Sequence, residues 1–308
     1  MKKIIFLIIL IFSTALFSKN AHYMTISKTI FSKNGDLVYS ASFDSTGIIW
    51  NVKTGKALKR MIGQRGFMTS MAISNKFNRI ITTARDKTIA VRLLNGIFLR
   101  RIRTHSDAVN CVVIKDRIAV TSSDNGEIFI WNFPRMWRIR AFKFNVPGID
   151  SLSISHDGVY LAAGCVDGNI RIINLKTRRH IKTIQAYENY IYSVLFSTTN
   201  FLISSSSSGK ITIWNVKTFQ KIKSIKLKSG IFSMLEISGS LLAGTKKGRI
   251  YLLNPKTLYI KKVYNISRKE ITAISYDKKN GIIAAGDGAG AIHLLKYPGL
   301  KKIKILGR

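Results

Sequence analysis

A six-residue segment, Ile-Trp-Asn-Val-Lys-Thr, occurs twice in the chain, at 49–54 and at 213–218. Its two tryptophans, Trp50 and Trp214, are 164 residues apart, which is four times 41. This spacing predicts further copies between them and after them. Five other short apolar runs end at an equivalent position, and the residues found there are Arg92, Trp131, Ile173, Leu253 and Leu295.

The seven equivalent positions recur with a nearly constant period. Successive spacings are 42, 39, 42, 41, 39 and 42 residues. A period near 40 that is built from short strands is typical of propeller blades, which are small sheets that bury their faces only against neighbouring blades. Seven such units occupy all but about 21 of the 308 residues. We therefore expect residues 19–308 to form a single propeller domain.

Each unit divides into four strands separated by turn residues. In the first unit the breaks fall at 33–36, 44–47 and 53–55, where Gly, Asn and Asp suit tight turns. Four units share the pattern Asn-x-Lys-Thr at the third break, and its asparagines are Asn51, Asn174, Asn215 and Asn254. The predicted fold is an all-β, seven-bladed β-propeller of four-stranded antiparallel blades.

These units resemble the blades of the WD-repeat family of β-propellers, and the resemblance covers nearly everything after residue 22. That family places a histidine before the first strand, a serine or threonine on the second, an aspartate in the next turn and a tryptophan on the third. The first unit matches this pattern with His22, Ser40 or Ser42, Asp44 and Trp50. The resemblance implies that these side chains form a hydrogen-bonded network that stiffens the blade.

The pattern is incomplete in the other units. The third unit matches with His105, Ser122 or Ser123, Asn125 in place of the aspartate, and Trp131. The fifth unit keeps Trp214, whereas four other units replace the tryptophan. Because buried polar groups are normally hydrogen-bonded, we interpret the two histidines as structural residues and not as metal ligands.

In the WD-repeat family, the loops that enter the first strands and the turns after the second strands form a top face that binds proteins or peptides. The resemblance implies partner contacts just before the turn acid and in the entry loops. Those positions hold Phe43, Arg65, Phe67, Arg85, Tyr187, Tyr190 and Lys246. Aromatic and arginine side chains dominate the binding energy of many interfaces. The first function hypothesis is a non-catalytic scaffold that binds a protein or peptide partner. The sequence determines neither the identity of that partner nor the oligomeric state of the scaffold.

The N-terminus predicts export. Lys2 and Lys3 precede an apolar run that begins at Ile4 and is followed by small residues, which is the order of a secretory signal peptide. We assign residues 1–18 to this signal, with cleavage after position 15 or 18, and expect a periplasmic or extracellular protein. The alternative is a membrane anchor that stays uncleaved, although the run is shorter than the about 20 residues of a spanning helix.

The charge is strongly positive, with 50 Lys and Arg against 15 Asp and Glu, a net charge of +35. The excess concentrates in the predicted fourth strands, which form the outer edge of a propeller. We define the basic rim by Arg178, Arg179, Lys221, Lys223, Lys226, Lys228, Lys261 and Lys262. The three-residue step from Lys223 to Lys226 predicts a bulge or a change of face within that strand.

Two interpretations of the basic rim stay open. In the first interpretation the rim binds nothing. Its lysines prevent aggregation between edge strands, or the excess of positive charge reflects a compositional bias toward Lys and Ile. Alternatively, the rim binds an anionic membrane lipid, cell-wall polymer or glycan. Nucleic acid is disfavoured, because the signal peptide separates the protein from it and no RNA-binding motif is present.

Catalytic residues are not indicated. The histidines do not cluster with metal-ligand spacing, and no pair of carboxylates stands out. The glycine-rich run at 286–290 precedes a predicted strand, whereas a dinucleotide-binding loop precedes a helix. We therefore predict that the protein is not an enzyme and carries no cofactor or metal.

Two further questions have alternative answers at this stage. Cys111 and Cys165 are either small packed side chains or, in an exported protein, a disulfide. The ring closes either with the C-terminal segment 301–306 as the outer strand of blade seven, which we favour, or with residues that follow the signal crossing over to pair with that blade.

Overall fold

The computed structural model of the protein describes residues 21–307, which form seven separate four-stranded sheets. Strands that follow one another in the chain are neighbours within each sheet and run antiparallel. The prediction of an all-β, seven-bladed β-propeller is confirmed. The described residues include no helix that is long and apolar enough to span a bilayer. The predicted signal peptide, residues 1–18, lies outside them.

The strands of the first four blades follow the chain in order. Blade one contains β1 (Ile26–Phe31), β2 (Leu37–Ser42), β3 (Gly47–Asn51) and β4 (Ala57–Met61). Blade two contains β5 (Met68–Ser74), β6 (Arg79–Ala84), β7 (Thr88–Arg92) and β8 (Phe98–Arg103). Blade three contains β9 (Val109–Lys115), β10 (Ile118–Ser123), β11 (Glu127–Asn132) and β12 (Trp137–Lys143). Blade four contains β13 (Ile149–Ile154), β14 (Tyr160–Cys165), β15 (Asn169–Asn174) and β16 (Arg179–Gln185).

The last three blades repeat the same plan. Blade five contains β17 (Ile191–Phe196), β18 (Phe201–Ser206), β19 (Lys210–Asn215) and β20 (Lys221–Lys226). Blade six contains β21 (Ile231–Ile237), β22 (Ser240–Thr245), β23 (Arg249–Leu253) and β24 (Ile260–Asn265). Blade seven contains β25 (Ile271–Asp277), β26 (Ile282–Asp287), β27 (Ile292–Lys296) and β28 (Lys301–Leu306).

A β-bulge marks the same point in every blade. The pairing of the third strand with the fourth shifts register beside Trp50 in blade one and at the aligned position in the six other blades. The third-strand residues at those positions are Arg92, Trp131, Ile173, Trp214, Leu253 and Leu295. The seven positions aligned from the sequence are therefore structurally equivalent.

The recurring asparagine closes the turn between the third and fourth strands. Its side-chain oxygen accepts the backbone N–H of the threonine three residues later, at 2.8 to 3.1 Å. The asparagines that do so are Asn51, Asn174, Asn215 and Asn254. A side chain that completes its own turn in this way is an Asx turn, which explains why the pattern recurs.

The hydrophobic core lies between neighbouring blades. Second and third strands are almost entirely buried, as in β7, whereas fourth strands such as β8 are almost entirely exposed. Trp131 belongs to one core cluster with Ile89 and Val91 of the preceding blade. Trp214 shares a cluster with Ile170 of blade four. Each blade thus contributes one large third-strand side chain to the layer that it shares with its neighbour.

Blade seven is completed by β28, and the ring closes through contacts between blades seven and one. Thr272 donates a hydrogen bond to the backbone carbonyl of Ile26 at 2.6 Å. Gly286 leaves room for Ile26, since a Cβ at this glycine would lie 2.4 Å from a methyl carbon of the isoleucine. Among the described residues, every sheet is built from consecutive strands. The favoured mode of closure is confirmed, and the strand exchange considered as its alternative is wrong for this part of the chain.

Candidate functional site

A chain of hydrogen bonds links the entry loop of blade one to its third strand. His22 Nδ1 lies 2.8 Å from an Asp44 carboxylate oxygen, and Ser40 Oγ lies 2.8 Å both from His22 Nε2 and from Trp50 Nε1. The indole nitrogen can only donate, and Nδ1 faces a carboxylate. Burial lowers the pKa of His22, so a neutral ring donates through Nδ1 and accepts the Ser40 proton at Nε2. Of the two predicted hydroxyls, Ser40 belongs to the network, while Ser42 bonds to a backbone carbonyl.

Blade three builds the same network from a different set of side chains. Thr121 Oγ1 lies 2.7 Å from His105 Nε2 and 2.9 Å from Trp131 Nε1. The carboxylate belongs to Glu127, which lies 3.1 Å from His105 Nδ1. Burial lowers the pKa of His105 to about 4, and its neutral ring stacks on Phe129 with the centroids 4.0 Å apart.

The prediction that Ser122 or Ser123, together with Asn125, belongs to the network of blade three is wrong. Ser122 donates to a carbonyl of blade four, and Ser123 bonds to the Asn125 side chain. The Asn125 amide donates to Ser106 and not to the histidine. The longer Glu127 side chain reaches the histidine from two residues further along the chain, so the neutral Asn125 is not needed as an acceptor.

Blade two preserves the geometry without a histidine or a tryptophan. The Thr82 hydroxyl donates to Gln64 Oε1 at 2.6 Å and accepts from a guanidinium nitrogen of Arg92 at 2.7 Å. A second Arg92 nitrogen donates to the carbonyl of Ile62 at 2.7 Å. Burial lowers the pKa of Arg92 to about 10, which leaves it charged at neutral pH. Gln64 therefore replaces the histidine, and the fully buried Arg92 replaces the tryptophan.

Blade five uses a tyrosine in the histidine position. The Tyr187 hydroxyl lies 2.7 Å from Ser204 Oγ, which accepts from Trp214 Nε1 at 2.8 Å. Burial raises the pKa of Tyr187 to about 12. The hydroxyl of Tyr187 is thus committed to the interior of the blade, and the contact predicted for this residue on the top face stays a prediction.

The residues that sequence analysis missed were detectable by alignment. In all four networks the hydroxyl lies ten residues before the third-strand side chain that bonds to it. The pairs are Ser40 and Trp50, Thr82 and Arg92, Thr121 and Trp131, and Ser204 and Trp214. Counting back ten positions would have selected Thr121 and would have revealed the network of blade two.

The top face has the same backbone frame in all seven blades. The residue that begins each turn after the second strand donates its N–H to a carbonyl of the entry loop, at 2.9 to 3.0 Å. The seven donors are Phe43, Arg85, Asp124, Val166, Ser207, Lys246 and Gly288. The side-chain networks also fix entry loops from within the blade. The top face therefore has a rigid backbone, which we call the platform, and its side chains differ in chemistry from blade to blade.

Two of the predicted contact residues form an aromatic pair on this platform. The rings of Phe43 and Phe67 stack with their centroids 5.4 Å apart and an interplanar angle of 11°. The apolar side chain of Phe67 is 38% exposed to solvent. Arg85, whose N–H bonds to the Phe67 carbonyl, forms an ion pair with Asp124 at 3.1 Å. The aromatic pair thus spans blades one and two, and Arg85 is joined to Phe67 through its backbone.

The other predicted contact residues are distributed around the face. Arg65 is exposed, and its backbone N–H bonds to the Asp86 carboxylate at 2.7 Å. Tyr190 is half exposed on the entry loop of blade five, and Lys246 is exposed on blade six. Phe43, Phe67 and Arg85 therefore form one group, and Tyr190 and Lys246 lie on other blades.

The first strands of all seven blades enclose a central cavity of about 650 Å³, which Phe43 and Arg85 also line. Within it, the Asn110 amide donates to Asp124 at 2.6 Å and to Asp150 at 2.9 Å. Burial and the charge of Asp124 raise the pKa of Asp150 to about 6. The Cys111 thiol also lines the cavity, and burial raises its pKa, so it stays protonated and is a poor nucleophile.

The glycine-rich run of blade seven is a turn, as its position before a strand predicts. Asp287 accepts the backbone N–H groups of Ala289 and Ala291, each at 2.9 Å, and lies 2.9 Å from His293 Nε2. These bonds commit His293 to the inside of the blade. Within residues 21–307, no three His, Cys, Asp or Glu side chains are grouped so that they could hold a metal ion.

Comparison with known proteins identifies the family. The family described as "WD domain, G-beta repeat" matches residues 14–51, and the family described as "Vps42 beta-propeller" matches residues 99–238. The WD repeat-containing protein 91 homolog of Dictyostelium discoideum is 27% identical to the chain over 214 residues. The chain is a WD-repeat β-propeller.

Two relatives of this WD-repeat propeller are much longer proteins. The match to the Dictyostelium protein covers 65% of the chain but 28% of that protein. Human apoptotic protease-activating factor 1 is 32% identical over 114 residues, which is 36% of the chain and 9% of the factor. Among solved structures, the crystal structure of the computationally designed Ika8 protein superposes with a TM-score of 0.71 at 21% identity, covering 89% of the chain and 96% of the designed protein. That likeness concerns the fold alone.

The WD-repeat propeller exposes its predicted basic rim. All eight of its members are exposed, namely Arg178, Arg179, Lys221, Lys223, Lys226, Lys228, Lys261 and Lys262. Pairing is regular from Lys223 to Lys226, so the odd step is a change of face. The bulge of this strand lies earlier, at Ile222.

Both cysteines of the propeller are free thiols, so the alternative of a disulfide is wrong. Cys165 is fully buried, and burial raises its pKa to about 12. Cys111 packs partly buried against the same core cluster between blades three and four. The two residues therefore act as small core side chains.

Proposed function

We propose that this protein is a non-catalytic exported scaffold that binds a protein or peptide partner through its top face. The observation that carries the proposal is the stacked pair of Phe43 and Phe67 beside Arg85. A stacked aromatic pair with one exposed ring, on the same surface as an arginine, has the composition of an interface hot spot. The family supports a role in protein interaction, since WD-repeat propellers commonly bind protein partners.

Rigidity supports the same function. Ordering loops on binding costs free energy, so a surface that is already fixed in its bound shape binds more tightly. Here the entry loops are fixed by side-chain networks in blades one, two, three and five and by a backbone bond in all seven. The platform is constant while its side chains differ from blade to blade, which suits recognition of one particular partner.

We expect the top-face pair to be required for capture of the partner. Residues 19–308 are immobilised and incubated with exported proteins of the source cell, and the bound proteins are quantified by mass spectrometry. Replacing both Phe43→Ser and Phe67→Ser should reduce the enrichment of the partner at least about tenfold, because these rings would supply much of the buried apolar contact.

A matched control comes from the opposite face. Tyr259 is 71% exposed in the turn between β23 and β24, so Tyr259→Ser also removes an exposed aromatic ring. This variant should capture the same proteins as the parent. Capture should also persist at high salt, since packed aromatic contacts are not screened. An identical set of captured proteins for all three forms would contradict the proposed binding face.

Export rests on the pattern of residues 1–18 and has its own test. We expect the full chain, with a C-terminal tag, to be recovered outside the cytoplasm with its N-terminus at residue 16 or 19, as measured by intact mass. Placing two charges in the apolar run with Ile8→Arg and Ile9→Arg should keep the protein uncut inside the cell. An uncut chain in the membrane fraction would instead support the anchor, and an uncut soluble chain would refute export.

A further inference from the structure

The fourth strand of every blade carries the same local arrangement at its bulge. The bulged residue is aliphatic in six of the seven blades. The seven bulged residues are Leu58, Leu99, Ile139, Ile181, Ile222, Lys261 and Ile303. The residue that follows each of them is a cation, and these cations are Lys59, Arg100, Arg140, Lys182, Lys223, Lys262 and Lys304. The outer wall of the propeller is therefore ringed by alternating apolar and cationic side chains.

Most of these aliphatic side chains are not part of the core. Leu58 is 57% exposed, and Leu99, Ile181, Ile222 and Ile303 are between 43% and 50% exposed. Protection of an edge strand against aggregation requires charge, and exposed aliphatic residues on that edge work against it. Edge protection therefore accounts for the cations of the ring but leaves its apolar members unexplained.

The apolar component is strongest on blades two and three. Around the start of β8, Ile97, Phe98 and Leu99 are all more than 40% exposed, and Trp137 at the start of β12 is 52% exposed. The other three tryptophans of the protein are at most 5% exposed. A contiguous group of large exposed apolar side chains marks an interaction site.

The cations of this arc are arginines, apart from Lys143 at the end of β12. β8 and β12 contain Arg100, Arg101, Arg103, Arg138 and Arg140, and neither strand contains Asp or Glu. The two strands are linked across the blades, because Arg100 donates to the backbone carbonyl of Arg135. The Arg135 guanidinium in turn lies 5.3 Å from the centre of the Trp137 ring. We call the exposed residues of β8 and β12, together with Ile97 and Arg135, the arginine arc.

We propose that the arginine arc binds the surface of an anionic lipid bilayer. Cations near an acidic membrane are attracted to its head groups, and tryptophan prefers the boundary between head groups and acyl chains. Leu99 and Phe98 would enter that boundary between the arginines, as apolar residues of interfacial proteins do. A soluble polyanion would use only the charges, so the apolar side chains favour the bilayer.

The geometry is compatible with partner binding. Fourth strands form the outer wall of the ring, whereas the top face consists of entry loops and second turns. A flat membrane therefore contacts the ring at one arc and leaves Phe43 and Phe67 accessible. Membrane binding by the arc does not depend on the proposed function of the top face.

The test uses residues 19–308, which contain all 28 strands, and vesicles of phosphatidylglycerol and phosphatidylcholine. The apolar variant combines Leu99→Ser with Trp137→Ser. The charge variant combines Arg100→Gln, Arg103→Gln and Arg140→Gln. Each basic residue near an acidic surface strengthens binding about fivefold, so the charge variant should co-sediment at least about tenfold more weakly than the parent. The apolar variant should also lose at least about tenfold.

A second arc provides the matched control. Lys221→Gln, Lys223→Gln, Lys261→Gln and Lys262→Gln remove four cations from blades five and six, and this variant should bind acidic vesicles within about twofold of the parent if the arginine arc is the contact. Heparin resin separates lipid from polyanion binding, because the apolar variant should elute at the same salt as the parent. Unchanged melting temperatures would show that the variants fold.

Three results would overturn the proposal. The parent could bind vesicles of phosphatidylglycerol no better than pure phosphatidylcholine. The apolar variant could bind acidic vesicles as well as the parent, which would reduce the arc to a polyanion site. The blade five and six variant could lose as much binding as the charge variant, which would assign the effect to net charge.

Discussion

Replacing Trp50 or Trp131 by alanine should destabilise the propeller by roughly 3–5 kcal/mol, the range for deletion of a buried aromatic side chain. Trp50 is 1% exposed and Trp131 is 2% exposed, so each deletion leaves a cavity in the layer between two blades. Each also removes the indole donor from the hydroxyl of Ser40 or Thr121. The free energy of unfolding, measured by urea denaturation, checks this expectation.

The chain supplies its own control for this experiment. Trp137→Ala removes the same side chain from the outer wall, where it is 52% exposed, and should change the free energy of unfolding by no more than about 0.5–1 kcal/mol. Equal losses in all three variants would mean that tryptophan stabilises the protein by some means other than burial between blades. Unchanged unfolding of both the Trp50 and Trp131 variants would contradict the assigned packing.

The number of blades could be predicted from the sequence because it depends on spacing alone. Each of the seven third strands contains one aligned position, and the structure places a bulge there even where Arg92, Ile173 or Leu295 has replaced tryptophan. Packing between blades requires a large side chain at that point, and several residue types satisfy the requirement. The repeat therefore remains visible after its signature residues are lost.

Partners within each network could not be predicted in the same way, because they depend on side-chain reach. Glu127 lies two residues beyond the position of the expected aspartate, and only its longer side chain makes it equivalent to Asp44. Tyr187 reaches Ser204 directly, although its ring differs from imidazole in size and chemistry. Sequence position shows which residues are near one another, but the distance that each side chain spans decides which of them bond.

The exposure of aliphatic residues on the outer wall could not be predicted from the sequence, because it depends on the bulge in each fourth strand. In a regular strand, the aliphatic residues of a segment such as β20 would alternate toward the core. The bulge adds one residue opposite the third strand, and that residue has no core position to fill. Ile222 and its aliphatic equivalents are exposed as a result, except Ile139, which is partly buried. Sequence analysis detected the lysines around them but not the change of direction at the bulge.

Lowering the pH should weaken the propeller through its buried neutral histidines. The pKa of His105 is about 4 in the folded chain because burial disfavours the charged ring, against about 6.5 in an unfolded chain. Between these values the unfolded state binds a proton that the folded state does not, so the free energy of unfolding falls as the pH decreases. For His105 the loss between pH 7.5 and pH 5 is about 2 kcal/mol. Burial lowers the pKa of His22 as well, which adds to the effect.

The variant His105→Gln isolates this contribution, because blade two already uses Gln64 in the equivalent position. Its free energy of unfolding should fall less than that of the parent between pH 7.5 and pH 5, by about 2 kcal/mol. The pKa of Asp150, raised to about 6, makes stability rise as the pH decreases through that value, but this contribution is common to both proteins and cancels in the comparison. Parallel pH profiles for the parent and His105→Gln would show that His105 does not resist protonation in the folded blade, and the neutral Nδ1–H tautomer assigned to its network would then be wrong.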